Sequence, residues 1–157
     1  MRTIYPLLAA GTLCVLAGAS LAQNGRLFLD EAPLDRAVDI PKEKVEAYVA
    51  QMAKEQIGVI RMLEGGLYNV NLRHDENATP DKYDTEFHED TIDVWVVQEG
   101  SGTLVTGGEK VGDKIVGGVE RQIKVGDVVF IPAGVHHGMK ETKSITWLNI
   151  RFPEHRN

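Results

Sequence analysis

Read as apolar and polar positions, the chain changes period once. Between Pro41 and Gln56 (PKEKVEAYVAQMAKEQ) the residues Val45, Tyr48, Val49 and Met52 recur at i, i+3, i+4 and i+7. That spacing puts one apolar stripe on a helix. Pro41 suits its first helical position, with Asp39 or Ile40 near the cap, and Gly58 suits the stop. From Gly58 onward the period is two, the signature of strands with two distinct faces. Short strands are predicted over Val59–Leu63, Leu67–Arg73, Thr85–His88, Asp93–Gln98, Gly102–Thr106, Val119–Lys124, Val128–Ile131 and Ile145–Phe152. Glu64-Gly65-Gly66, Gly100, Gly107-Gly108 and Gly126-Asp127 mark turns between them. His74–Tyr83 reads as a polar loop, and Glu109–Gly118 as an excursion with neither period.

Many short strands with glycine-rich turns predict a β-sandwich or barrel. The helical stripe then packs on the outside of that β-domain. Two strands show their faces: Tyr68, Val70 and Leu72 oppose Asn69, Asn71 and Arg73, and Leu148, Ile150 and Phe152 oppose Trp147, Asn149 and Arg151. Val128–Ile131 reads as fully buried. Before the helix, Gln23–Ile40 has no clear period and is read as an extended lead-in with an edge strand around Arg26–Leu29.

At 157 residues, 43% of them hydrophobic and 25% charged, the chain holds one domain with a real core. A net charge of −6, with no basic stripe, argues against nucleic acid or an anionic membrane as partner. Met1–Ala22 reads as a secretory signal: Arg2 is its positive start, Pro6–Leu21 its apolar body, and Ser20-Leu21-Ala22 its cleavage site, before Gln23. The expected organisation is therefore a leader over 1–22, an extension with the helix over 23–57, and a β-domain over 58–157. Cleavage removes Cys14, the only cysteine, so stability after export rests on burial without a disulfide. The expected location is periplasmic or secreted, with no membrane partner after cleavage.

The chemistry concentrates in two stretches. In Thr85–Gly100 (TEFHEDTIDVWVVQEG), Glu86 and His88 sit two apart and share a strand face. Asp93 heads the apolar run Val94-Trp95-Val96-Val97, where a buried carboxylate needs a cation or donors around it. Trp95 and Val97 share its face. In Gly126–His137 two adjacent histidines, His136 and His137, point to opposite sides of a strand. Two acidic groups and one histidine from the first stretch, with one or two histidines from the second, make a plausible four-ligand set for a divalent ion. A phosphate-binding glycine loop with its lysine, a G-x-S-x-G elbow and a mature thiol are all absent from the sequence.

These stretches resemble the two motifs of small bacterial cupins. Gly126, five residues, Pro132-Ala133-Gly134, two residues and His137 match the second motif. In the first, His88 takes the place of the second histidine, Asp93 of the glutamate four residues on, and Gly100 follows after six. The chain departs from the pattern at Glu86, where a histidine is usual, and at Glu141, where an asparagine is. The resemblance covers roughly Leu67–Phe152. It implies an all-β fold, the double-stranded β-helix or jelly-roll barrel, preceded here by one helix. It also implies metal ligation by His88, Asp93 and His137, with Glu86 either a fourth ligand or a free general base. His136 is expected at the rim, against substrate or solvent. Asn149 and Arg151 either form a carboxylate-binding corner or face outward.

Such a ligand set suits Fe(II), Mn(II), Zn(II), Ni(II) or Cu(II). The functional expectation is an exported metal-binding cupin, an enzyme of lyase, isomerase or oxygenase type with a small organic substrate, and a homodimer. Its alternative is a non-catalytic cupin module that holds a sugar or small hydrophobic ligand. Convergence of Glu86, His88, Asp93 and His137 favours the first. A lumen plugged by Trp95 and Trp147 favours the second.

Overall fold

A computed structural model describes residues 26–66 and 68–155; for 26–29 and for position 67 no side chain is described. The expected leader and its cleavage point before Gln23 lie outside the described residues. Among those described, no helix is long and apolar enough to cross a membrane.

Among the described residues the protein is mostly β, with one helix, α1 (Lys42–Glu55). The chain order is β1 (Arg26–Glu31), α1, β2 (Val59–Glu64), β3 (Asn69–Glu76), β4 (Thr85–Glu86), β5 (Thr91–Thr106), β6 (Glu109–Val111), β7 (Lys114–Val116), β8 (Val119–Lys124), β9 (Val128–Ile131) and β10 (His137–Pro153). Eight strands form one sheet in the order β1-β2-β3-β10-β5-β8, with β4 added to β10 and β9 to β5. β1 is an edge strand running parallel to β2; the remaining pairs of this sheet are antiparallel.

The long strands β5 and β10 pair in two blocks, His137–Lys140 against Thr103–Thr106 and Ser144–Pro153 against Thr91–Ser101. Between the blocks the register shifts, Glu141 takes φ 54°, and Gly100 on β5 takes φ 74°. A Cβ at Gly100 would fall 2.0 Å from the Ser144 carbonyl oxygen, so only glycine lets the strands approach there. The consequence is large. A straight β5 would hold Asp93 about 40 Å from Thr106 at ~3.3 Å per residue. Yet His137, paired with Thr106, brings its Nε2 to 3.7 Å from Asp93 Oδ2. The β5/β10 ribbon therefore folds over on itself and encloses an interior.

Side-chain alternation divides that sheet into two buried faces. Inside lie Trp95, Val97, Leu104, Ile123, Ile131, Met139, Ile145 and Trp147. On the other face α1 packs Val49 and Met52, with Val45 and Tyr48 beside them, against Ile60, Met62, Leu72, Val70 and Leu148. The helical stripe is where the sequence puts it. Its ends differ in detail: Pro41 caps the helix from outside with extended backbone instead of opening it, and Gln56, at φ 54°, ends it before Gly58.

Other expectations change as well: the strand expected over Thr85–His88 is Thr85–Glu86 alone, and the one expected over Ile145–Phe152 begins at His137. Gly100 bends a continuous strand instead of turning the chain, so Asp93–Gln98 and Gly102–Thr106 are one element. β3 continues through His74-Asp75-Glu76, because β10 pairs with those polar residues as far as Ser144. Glu109–Gly118 contains a hairpin, β6–β7, closed by Gly112-Asp113 with Gly112 at φ 62°, the two-residue loop with glycine first that matches strand twist. In β9 only Ile131 is buried; Val128 and Phe130 point outward and are 68% and 60% exposed.

Candidate metal centre

The inner face carries its polar residues in rows across strands. Asn69, Arg151, Asp93 and Ile131 are successive partners on β3, β10, β5 and β9; Asn71, Asn149, Trp95 and Val129 form the next row. Glu86 on β4 lies directly across from His137 on β10. His88 follows β4, and its carbonyl accepts a 2.7 Å hydrogen bond from the N–H of Gly134, which ties the two sequence stretches together.

Glu86, His88, Asp93 and His137 converge, each offering one ligand atom with all four atoms within 4.8 Å of one another. From His88 Nε2 it is 3.1 Å to Glu86 Oε2 and 3.6 Å to Asp93 Oδ2. From His137 Nε2 the corresponding distances are 4.0 and 3.7 Å. Asp93 and His137 are each 1% exposed. The His137 Nδ1–H donates to the Val135 carbonyl at 2.9 Å, which leaves Nε2 as the lone-pair atom. That Nε2 is buried and has no hydrogen-bond partner among the described residues. A buried acceptor left bare costs free energy unless something supplies a partner, and a cation among these four atoms would. The donor set fits a divalent transition metal.

Two arginines, Arg73 and Arg151, complete the surroundings. Arg73 donates to Glu86 Oε1. Arg151 forks onto Asp93, Nε to Oδ1 at 2.6 Å and Nη2 to Oδ2 at 2.8 Å, and Nη2 also lies 2.6 Å from His88 Nε2. Arg151 thus faces the interior, closing the choice the sequence left open, and Asn149 is buried beside it. Sharing a face with Trp147 was the available signal for Arg151. Arg73 shares a face with Asn69 and Asn71, which no apolar neighbour marked as internal.

Electrostatics follow from these contacts. Burial pushes the Glu86 carboxyl up, but the adjoining His88 imidazole and the charges of Arg73, His137 and Arg151 outweigh it and hold Glu86 well below the usual carboxylate range. Burial lowers His137, against the opposing pull of the Val135 carbonyl and the two carboxylates, which favours the neutral, ligating imidazole. Burial disfavours the charge on Arg151, yet Asp93 and Glu86 more than offset it and raise its pKa.

Beside the cluster lies a cavity of about 120 Å³ lined by Arg73, Glu86, Trp95, His137, Met139 and Trp147 among others. One water needs roughly 15 Å³ measured this way, so the space admits a small molecule. The Trp95 and Trp147 rings are 4.8 Å apart, and both indole N–H groups are buried without a partner among the described residues. His136 stands apart from the four ligand atoms, its ring 4.7 Å from that of Phe87. Glu141, in the place of the family's asparagine, accepts a 2.7 Å hydrogen bond from Thr103 Oγ1 at the strand bend.

Comparison with known proteins agrees on fold. No family model matches the chain, and no curated protein does. Among solved structures, the Bacillus halodurans protein BH2720 is 16% identical, covers 79% of this chain and 86% of its own, and superposes with a TM-score of 0.56. Weaker likenesses are to the Fe(II) form of HppE (17% identity, 55% of this chain, 44% of that one, TM-score 0.47) and to a Thermotoga maritima protein described as a predicted oxalate decarboxylase (13%, 66% and 74%, 0.43). The match spans less than half of HppE. BH2720 is a cupin-fold protein, and the chain shares that fold. The chain thus combines a cupin fold with an interior cluster of four side chains that could hold a divalent ion.

Proposed function

We propose that this protein is an exported metal-dependent enzyme that transforms a small organic molecule by lyase, isomerase or oxygenase chemistry. The observation that carries the reading is the convergence of Glu86, His88, Asp93 and His137 beside the 120 Å³ cavity. A bound divalent ion supplies Lewis-acid or redox chemistry there. The chain's own residues do the rest. His88, Asp93 and His137 hold the ion, and Glu86, its Oε1 engaged by Arg73 and its Oε2 turned to the cluster, serves as fourth ligand. A substrate in the cavity would meet the unpaired indole N–H groups of Trp95 and Trp147, which suit an oxygen-bearing molecule. His136, tilted against Phe87 and apart from the four ligand atoms, is the remaining histidine that could take part in proton transfer.

The test is turnover of small hydroxy acids, keto acids, sugars and aromatic diols by protein loaded with Fe(II), Mn(II), Zn(II), Ni(II) or Cu(II). Metal-dependent turnover that vanishes in His137→Ala supports the proposal. The second reading, a binding module, is favoured by the Trp95–Trp147 pair that fills part of the lumen; saturable ligand binding with no product would select it. Export is tested by N-terminal sequencing of protein from its native host, expected to begin at Gln23. The homodimer is supported by the exposed Val128 and Phe130 on β9 and is tested by mass in solution.

A further inference from the structure

We infer that the Arg151 guanidinium and a divalent metal ion compete for the His88 Nε2 lone pair and for the charge of Asp93, so that metal enters the site only by displacing Arg151. The inference rests on the metal-binding reading above and adds a gate to it. Arg151 Nε and Nη2 occupy both oxygens of Asp93, at 2.6 and 2.8 Å. Nη2 also reaches His88 Nε2 at 2.6 Å. An imidazole nitrogen has one lone pair: it accepts from a guanidinium or it ligates a metal, never both. A guanidinium stays protonated at any ordinary pH, so it cannot yield the place by losing its charge. Held within hydrogen-bond distance of the ligand atoms, it would also repel a divalent cation arriving among them.

The chain gives the displaced side chain somewhere to go. Arg151 lines a second cavity of about 320 Å³, on the side of His88 and Phe87, together with Asn69, Glu89 and Asp90. Glu89 and Asp90 are exposed carboxylates able to receive the guanidinium when it leaves Asp93. The move exchanges one buried ion pair for a more solvated one, while the incoming ion takes over Asp93 and His88. Arg151 is thereby a positioning residue that sets how readily the site loads. It also shields Asp93 from standing as a lone buried charge.

Competition has a quantitative form. Apparent metal affinity is the intrinsic affinity multiplied by the fraction of molecules whose Arg151 is out of the way; if that fraction is a tenth, affinity drops about tenfold. The experiment titrates Co(II) alone into the chelator-treated full chain, read by calorimetry and by visible absorption, for wild type, Arg151→Gln and Arg151→Lys. The expected result is about tenfold tighter Co(II) binding in Arg151→Gln, with Arg151→Lys between it and wild type. Binding by Arg151→Gln alone would support the competition in its strongest form. Equal or weaker binding in Arg151→Gln overturns the inference but leaves the metal site standing. Binding by none of the three overturns the metal reading and this inference with it. Wild type gives an independent readout should Arg151→Gln fail to fold. The Arg151 Nε–H resonance, protected by Asp93, is expected to lose its protection on saturation with Zn(II); an unchanged signal at saturation overturns the competition.

Discussion

Asn71 and Leu72 are neighbours on β3, and Leu148 and Asn149 on β10, yet the two faces they serve meet different chemistry. Leu72 and Leu148 pair across the strands and lie under α1 with Met52 and Ile60, in a cluster of purely apolar contacts. Asn71 and Asn149 pair on the interior face, in a row that runs on to Trp95, next to the row of Arg151 and Asp93. Several buried polar atoms there, including Asn71 Oδ1, Asn149 Oδ1 and His137 Nε2, have no partner among the described residues. The helix face uses burial to stabilise the fold. The interior face leaves polar groups unsatisfied and ions tightly paired, a costly arrangement that ligands can relieve. Mutations on the two faces should therefore separate stability from metal binding.

The largest effect is expected at Asp93. Asp93→Ala strips Arg151 of its bidentate partner inside the protein and removes a ligand atom, so it should destabilise by about 3–5 kcal/mol and abolish metal binding. Urea unfolding and metal analysis read both. Leu72→Ala is the matched change on the helix face, at a fully buried position. It should cost about 2–5 kcal/mol and leave metal stoichiometry intact; loss of metal in that variant would erase the distinction between the faces. Glu86→Gln sharpens the comparison within the interior. Release of most of the metal marks Glu86 as a ligand, whereas retained metal with turnover slowed about a hundredfold would make it the general base instead.

The smallest effect concerns pH. Burial, helped by the nearby Asp84, raises Asp75 to about 6 from 3.8. A carboxyl raised on folding binds protons more tightly in the native state than in the unfolded one, so its ionisation erodes stability as pH rises from about 4 through 6. Asp75→Asn should therefore raise Tm by about 2–4 °C at pH 8, for roughly 1 kcal/mol, and change it little at pH 4. A gain that is equal at both pH values would assign the effect to something other than this ionisation.

The same two faces explain what the sequence made legible. The α1 stripe was readable because a surface helix is apolar on one side only. The convergence of Glu86, His88, Asp93 and His137 was legible through the resemblance to the two cupin motifs. Period two alone could not say which side of β3 or β10 encloses the lumen, since both faces are buried and the apolar one faces the helix. Arg73 consequently stayed unassigned, and Arg151 stayed poised between interior and solvent. Nor does local pattern reveal pairing. His74-Asp75-Glu76 is polar yet strand because β10 lies beside it, and Glu109–Gly118 hides a hairpin whose two strands have three residues each. In β9 the run of β-branched and aromatic residues suggested full burial, but α1 covers only the β2–β3 side of the outer face, leaving Val128 and Phe130 exposed.

The central claim is that four side chains, brought together by the folded β5/β10 ribbon, hold one metal ion. Its most direct test is elemental analysis of the purified protein after dialysis against divalent transition metals, in wild type, His88→Ala and His137→Ala, with Arg151→Gln alongside. One ion per chain in wild type, and little in either variant, is the expected result. Equal metal content in wild type and both alanine variants, or none in wild type and Arg151→Gln alike, would contradict the claim.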